Sequence, residues 1–256
     1  MIHATAIIHE SAQLDPSVEV GPYAVIGEGV SIGAGTTVGP HVVIDAWTEI
    51  GCDNRIFQFA SVGAAPQDLK FAGEKTVLKI GDRNQIREFV TLHRGTGDGG
   101  GETVIGNDNL FMAYSHVAHD CRVGNHVILA NAATLAGHVI VDDAAILGGL
   151  SAVHQFSRIG CHVMLSGGSM VAQDIPPYTL AQGDRAKTIG LNLVGLKRRG
   201  FSREALSAIK GAYKLVFRAN LKQEEALARI DAEYGNVPEV MVFADFIRGS
   251  ERGVAR

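Results

Sequence analysis

The chain has no unbroken apolar stretch long enough to cross a bilayer, although 46% of its residues are hydrophobic. Its first residues, Met1-Ile2-His3-Ala4-Thr5, offer no basic region ahead of an apolar one, so no secretory signal peptide is read there. Cysteine is scarce. Cys52, Cys121 and Cys161 are an odd number spread through 256 residues, a chain large enough to fold without staples, which argues against a disulfide framework and for reduced thiols in the cytoplasm. Charge of either sign is not in excess. Lys and Arg number 23 against 27 Asp and Glu, a formal net charge of −4 with the signs interspersed, and this gives no support to nucleic acid as the main partner.

What the chain has instead is a period. Twenty-six aliphatic or aromatic residues recur at every sixth position: from Ile2 through Ile8, Leu14 and Val20 to Val62, then Ile80, Ile86 and Leu92, then from Ile105 through Phe111 and Val117 to Val171. No helix has this period. A small or β-branched residue usually follows four positions later (Ala24, Thr36, Ala133, Ala145, Ser151), and Gly often stands directly after the apolar residue (Gly21, Gly33, Gly106, Gly124). Hexapeptide repeats of this kind build a parallel β-helix. Each repeat supplies a short strand and a turn, and three of them close an 18-residue triangular coil; successive coils stack about 4.8 Å apart.

The repeat predicts a solenoid domain over 1–190, interrupted at 68–79 and 93–104, where loops project from one face. Gly95, Gly97 and Gly100 spell G-x-G-x-x-G in the second loop, but no helix follows them, so a dinucleotide site is not read. After Asp174-Ile175-Pro176-Pro177 the sequence predicts a helical or turn connector and then a helical domain over 191–256. Leu206, Ile209, Tyr213 and Val216 form one helical stripe behind an N-capping Ser202, Leu227, Ile230 and Tyr234 a second, and Val240, Phe243 and Ile247 a third opened by Pro238.

Coil arithmetic says which polar residues can meet. His119, Gly137 and Gln155 are spaced by 18 and share a column; Asp120, His138 and Phe156 form the next one. An imidazole, a neighbouring carboxylate, a second imidazole one coil away and a glycine N–H match the needs of acyl transfer from a thioester: a base, its orienting partner and a donor for the oxyanion. The plain alternative is that polar turn residues simply face water. A zinc site of His116, His119 and His138 is a further alternative, set aside because the ligand spacing of the solenoid carbonic anhydrases is missing and Asp120 and Gly137 would have no role. The basic cluster Lys197-Arg198-Arg199 suits a phosphate-bearing ligand or is an exposed helix edge.

The segments Gln67-Asp68-Leu69-Lys70, Thr91-Leu92-His93-Arg94-Gly95-Thr96, His116-Val117-Ala118-His119-Asp120, Leu135-Ala136-Gly137-His138, Val153-His154-Gln155-Phe156 and Gly195-Leu196-Lys197-Arg198-Arg199-Gly200 resemble, in this order and over essentially the whole chain, the UDP-N-acetylglucosamine acyltransferases that open lipid A biosynthesis in Gram-negative bacteria. The resemblance implies a mainly β fold, a left-handed parallel β-helix with a C-terminal α-helical domain, assembled as a cytoplasmic homotrimer with active sites between subunits. It implies transfer of an (R)-3-hydroxyacyl group from acyl carrier protein to the 3-hydroxyl of UDP-N-acetylglucosamine, without metal or other cofactor. By motif match His119 is the general base, Asp120 its partner and Gly137 the oxyanion donor. Gln67, Asp68, Lys70, His116, His138, His154 and Gln155 match substrate contacts, and Asn192, Arg198 and Arg199 match residues that hold the uridine diphosphate. Gly167, with Met170 nearby, matches the closed end of the acyl tunnel. One departure is Val194, where the family usually carries a Glu; this leaves a 3-amino analogue of the sugar as an alternative acceptor. The N-acyltransferase of the same pathway carries a domain ahead of its coils, whereas here the coils start at Ile2. A coenzyme A-dependent acetyltransferase and a non-catalytic scaffold are the remaining rivals.

Overall fold

A computed structural model describes all 256 residues. The solenoid is a three-sided prism. Its first face is a nine-stranded sheet from Ile7–Ile8 to Met170–Val171, its second an eight-stranded sheet from Gln13–Leu14 to Arg158–Ile159, and its third a ten-stranded sheet that starts at Glu19–Val20. The chain visits the faces in rotation, so each strand pairs in parallel with the strand one coil away: His116 opposite Thr134, Thr134 opposite Ala152, Ala152 opposite Met170. The sixth-position residues point inward, as the period predicts, and all are buried except Ile2, Ile8 and Leu14 at the open end, where no coil lies beneath them. The residue four places on is buried too, which is why it is small or β-branched: two side chains per hexapeptide share a narrow interior.

Corners join the faces, and the third residue after most of the inward aliphatics takes a left-handed backbone. Gly fills that place at Gly29 (φ 64°) and Gly35 (φ 70°), but most corners put a side chain there, among them Tyr23, Phe59, Asp120 (φ 58°), His138 (φ 62°) and Phe156 (φ 63°). Such conformations are unusual for non-glycine residues. At many corners the N–H donates to the coil before, to a carbonyl as from His138 to His119 (3.0 Å) and from Phe156 to Gly137 (3.2 Å), or to a hydroxyl as from Tyr23 to Thr5 Oγ1 (3.1 Å) and from Asp120 to Thr103 Oγ1.

Inside the second corner the small residue is replaced three times by asparagine. Asn54 Oδ1 accepts from the Asn84 N–H (2.9 Å) and Nδ2 (3.0 Å), Asn84 Oδ1 accepts from the Asn109 N–H (2.9 Å), and Asn109 Oδ1 accepts from Val127 (2.7 Å). These stacked asparagines are 30 and 25 residues apart instead of 18, so the intervening loops add 12 and seven residues to their coils. The first insertion is therefore as long as 68–79 but begins earlier, and the second is shorter than 93–104. Residues 77–80 and 102–105 are strands paired with one another, since the second face continues through both insertions, and the loops proper lie between Ala64 and Val77 and between His93 and Glu102.

The connector after Pro177 is neither helix nor simple turn. Thr179–Gln182 extends the third face beside Met164–Leu165, and Lys187–Leu191 folds back antiparallel on it. This hairpin keeps the last coil's backbone groups paired. Four helices follow: α1 (Leu193–Arg198), α2 (Arg203–Phe217), α3 (Gln223–Tyr234) and α4 (Pro238–Arg248). Ser202 Oγ caps α2 by accepting from the Ala205 N–H at 3.0 Å, and the predicted stripes form a second core around Leu206, Ile209, Ile230, Val240 and Phe243, separate from the solenoid's. The C-terminal segment returns to the solenoid, where the Asp174 carbonyl accepts from Ala255 N–H (2.9 Å) and its N–H donates to the Gly253 carbonyl (3.1 Å).

Asn84→Ala removes hydrogen bonds to both neighbouring coils from a fully buried site. It is expected to lower stability by about 2–3 kcal/mol, read as a fall in the urea midpoint, and Asn84→Asp, whose second oxygen would face Asn54 Oδ1 and the Gly106 carbonyl in place of the donating Nδ2, loses at least as much in the same titration near neutral pH.

Candidate active site

Both inserted loops, and the columns of His119 and Asp120, lie at the first corner, between the first and second faces. The left-handed turn at Asp120 folds its carboxyl back beneath the second loop. There Oδ1 accepts from the Thr96 N–H (2.9 Å) and Oδ2 from Thr96 Oγ1 (2.7 Å), while the Asp120 N–H donates to Thr103 Oγ1 (2.8 Å). Gly99 crosses so close that a Cβ would collide with this carboxyl, which accounts for one of the loop's glycines. His119 Nδ1 lies 2.7 Å from Asp120 Oδ2. A carboxylate oxygen can only accept, so the proton of the neutral ring sits on Nδ1 and Nε2 keeps its lone pair.

One coil on, the Gly137 backbone passes directly over that ring. A Cβ on Gly137 would stand 2.5 Å from His119 Cε1 and 2.7 Å from Nε2, so only glycine fits, and the Gly137 N–H is bonded to no group in the chain. His138 sets its Nε2 3.7 Å from Asp120 Oδ2 and stacks on Phe156 at 4.4 Å; burial lowers its pKa, with the Asp120 charge opposing. His116 is tied through Nδ1 to Thr91 Oγ1 (2.7 Å), and burial first, then the charge of His119, lowers its pKa as well.

Sequence reading passed over His93. It is buried, meets His116 edge to face at 4.9 Å and has no partner for Nδ1; burial pushes its pKa down to about 4, so it lies neutral beneath the cluster. Thr96 was missed likewise. The signal available for both was their place at the start of an insertion, beside the predicted column.

Donor atoms of His119, Asp120 and His138 lie within 4.8 Å of one another, a spacing that could hold an ion. The Asp120 oxygens, however, are already taken by Thr96 and His119, and this hydrogen-bonded set matches a base and its orienter better than a ligand set.

Gln67, Asp68 and Lys70 sit on the first loop, where Asp68 Oδ1 accepts from the Lys70 N–H (2.9 Å) and its charge reaches His138. Gln155 is exposed on the column above Gly137. His154, beside it, approaches Arg252 Nη2 at 3.5 Å at the edge of an 840 Å³ cavity on the first face that Ala136, Ala152 and Met170 also line.

The remaining predicted residues are not brought to this corner. Asn192 caps α1, accepting from the Gly195 N–H (3.1 Å) and donating to the His162 carbonyl (3.0 Å) at the second corner, and the charge of Arg199 acts on His162 there. Arg198 is exposed on the same short helix, as is Val194. Gly167 stands at the third corner, where a Cβ would approach Gly149 O to 3.1 Å. Within one chain, the predicted residues thus occupy all three edges of the prism.

Family models match the chain twice, as bacterial transferase hexapeptide repeats over residues 11–46 and 102–137 and as domain 2 of UDP N-acetylglucosamine O-acyltransferase over 174–255. An acyl-[acyl-carrier-protein]--UDP-N-acetylglucosamine O-acyltransferase from Janthinobacterium sp. (strain Marseille) is 55% identical, with 100% of this chain and 99% of that protein covered. Among solved structures, LpxA from Acinetobacter baumannii superposes with a TM-score of 0.97 at 46% identity, covering 100% of this chain and 99% of that one. The Francisella novicida UDP-N-acetylglucosamine acyltransferase gives a TM-score of 0.98 at 41% identity, covering 100% and 94%. The solenoid is accordingly a left-handed β-helix. With identity of this level from the first coil to the last helix, the chain belongs to the UDP-N-acetylglucosamine O-acyltransferase family.

Proposed function

We propose that this chain transfers an acyl group from acyl carrier protein to the 3-hydroxyl of UDP-N-acetylglucosamine, the first step of lipid A biosynthesis, with His119 as the general base. The observation that carries the chemistry is the His119 imidazole, oriented through Nδ1 by Asp120 and capped by the side-chain-free Gly137. His119 Nε2 takes the proton of the sugar hydroxyl as its oxygen attacks the thioester carbonyl carbon. The new C–O bond creates a tetrahedral oxyanion, and the Gly137 N–H is the donor that meets it. When the C–S bond breaks, the thiolate of the carrier protein leaves and receives the proton from His119. Asp120, held by Thr96, stabilises the imidazolium between the two transfers. No step runs through a metal or other cofactor.

The spread of matched residues over three edges supports a cyclic assembly, in which Asn192, Arg198, Arg199 and Gly167 serve a catalytic corner on a neighbouring copy. The ring proposed is a homotrimer. A stack of rings at the third corner, Tyr23, His41, Phe59, Phe89 and Tyr114, spaced 4.9–5.2 Å and largely exposed, is the apolar ridge such a neighbour would cover. The first-face cavity, beginning beside Ala136, offers an acyl chain an apolar wall of Ala152, Val153, Met170 and Val171, with Asp184, Arg185 and Arg252 on its polar side. The donor is read as an (R)-3-hydroxyacyl carrier protein. A cytoplasmic setting agrees with three unpaired cysteines and with the lack of any helix long and apolar enough to cross a membrane. Exposed Val194 offers the nucleoside no acceptor, so UDP-N-acetylglucosamine and its 3-amino analogue are both to be assayed as acceptors.

His119→Ala is expected to leave a folded protein by circular dichroism and to lower kcat by about 10² to 10⁴ with little change in substrate affinity; more than a tenth of wild-type rate would assign the base elsewhere. Arg198→Ala and Arg199→Ala are each expected to weaken UDP binding about ten- to a hundredfold by calorimetry, the scale of hydrogen bonds to charged groups. Unchanged affinity in both would instead make the cluster a docking patch for the acidic carrier protein. With Gly167 leaving the tunnel deep, long 3-hydroxyacyl donors are expected to win in competition with short ones. Gly167→Met should reverse that order, since each buried methylene contributes about 0.8 kcal/mol and the new side chain occupies several methylene sites. A wild-type preference for the short donor would move the length control to Met170, which lines the cavity itself.

A further inference from the structure

Arg94 is a guanidinium buried within the protein without an ion-paired carboxylate, although its charge reaches Glu74 on the first loop. It is 7% exposed, and no acidic side chain forms an ion pair with it. Its Nη1 donates to the Gly63 carbonyl (3.0 Å), at the point where the first inserted loop leaves the solenoid, and its Nε has no partner. Two aromatic rings hold it, with Cζ 5.2 Å from the centre of Trp47 and 5.5 Å from that of Phe71. Trp47 belongs to a solenoid corner, φ 58°; Phe71 belongs to the first loop, one residue after Lys70. The guanidinium therefore fastens the middle of that loop to the coils. A second fastening lies alongside: Glu74 accepts from Gly97 N–H through Oε1 and from Ala72 N–H through Oε2, each at 2.9 Å.

Burying a cation against rings and one carbonyl is costly unless its position matters, and the position here is informative. Arg94 stands two residues before Thr96, the residue that grips the Asp120 carboxyl. Its other contacts reach the loop of Asp68 and Lys70. Between the loops lies a cleft of about 240 Å³ lined by Asp68, Lys70, Phe71, Glu74 and Thr96. One short segment, 93–97, thus touches both the catalytic carboxylate and the first inserted loop. We infer that Arg94 is a positioning residue for the sugar nucleotide: clamped between Trp47 and Phe71, it sets the distance from Asp68 and Lys70 to His119. Only an arginine suits the place, because its flat group can meet two ring faces while donating in its own plane to Gly63; a lysine ammonium is a point charge and meets one.

The inference rests on the acceptor reading proposed above, and two measurements separate them. Steady-state kinetics of Arg94→Met should raise KM for UDP-N-acetylglucosamine about tenfold, with kcat at saturating sugar and KM for the acyl carrier protein donor within about threefold of wild type. Arg94→Lys should lie between the two. Phe71→Leu, which removes the ring on the loop side of the guanidinium and leaves Arg94 and Trp47 in place, should shift the same KM in the same direction if Arg94→Met folds poorly. Amide hydrogen exchange on the full chain supplies a readout that needs no substrate: residues 65–76 should exchange faster in Arg94→Met and Phe71→Leu while 116–171 stay as protected as in wild type. Unchanged exchange in 65–76 would overturn the clamp. Faster exchange with an unaltered KM for the sugar nucleotide, or an equal loss for both substrates, would overturn the positioning role and leave a merely structural one. A wild-type protein that does not turn over UDP-N-acetylglucosamine would sink the acceptor reading, and exchange would still decide the clamp.

Discussion

The parallel ladder that ties each residue to the one a coil away is the constraint on which this molecule depends. Each strand is only two to five residues long and could not persist alone. What holds it is the pair of strands above and below, together with aliphatic side chains that stack into one continuous core of 40 buried residues. Because the ladder leaves no freedom in register, a corner residue in one coil lies over its counterpart in the next, and polar side chains distant in sequence are set a few ångströms apart with no helix or long loop to position them. His119 under Gly137 and Asp120 near His138 are direct products of that stacking.

The corner geometry then determines what the stacked residues can do. Asp120 and His138 occupy left-handed positions that most proteins give to glycine, and hydrogen bonds from their N–H groups, to Thr103 Oγ1 and to the His119 carbonyl, sustain the strain. That conformation swings the Asp120 carboxyl toward Thr96 and leaves the His119 ring pinned beneath a bare backbone. The same rule read at another corner produces the exposed ring stack of Tyr23, Phe59, Phe89 and Tyr114. One backbone device thus builds a buried polar cluster at one edge and an apolar ridge at another, and the choice is made by side-chain type alone.

The two insertions matter because they enter at the same corner. Thr96 and Gly99 come from the second loop to grip and cover Asp120, while Asp68 and Lys70 come from the first. Arg94 and Glu74 join the loops to one another. The helical domain adds a second core over the solenoid's far end and carries its basic residues at a different edge, so one protomer holds the acyl-transfer groups and the diphosphate-binding candidates at separate places.

The sixth-position period by itself determined the solenoid, its interior residues and, through spacing by 18, the columns of His119, Gly137 and Gln155 and of Asp120, His138 and Phe156. It could do so because a periodic backbone makes distance in space a simple function of distance in sequence. The helical stripes after Ser202 were legible for the same reason, on the period of a helix. Where that relation breaks, only the tertiary structure decided. The hairpin at Thr179–Leu191 has no repeat to announce it, and its pairing depends on the free edge of the last coil. His93, Arg94 and Thr96 fall just where an insertion interrupts the count, so no column predicts that Thr96 meets Asp120 or that Arg94 lies between Trp47 and Phe71. The separation of Asn192 and Arg199 from the catalytic corner was likewise invisible in sequence, because both lie beyond the last repeat, whereas Gly167, 30 residues from Gly137, falls on another edge by the same count.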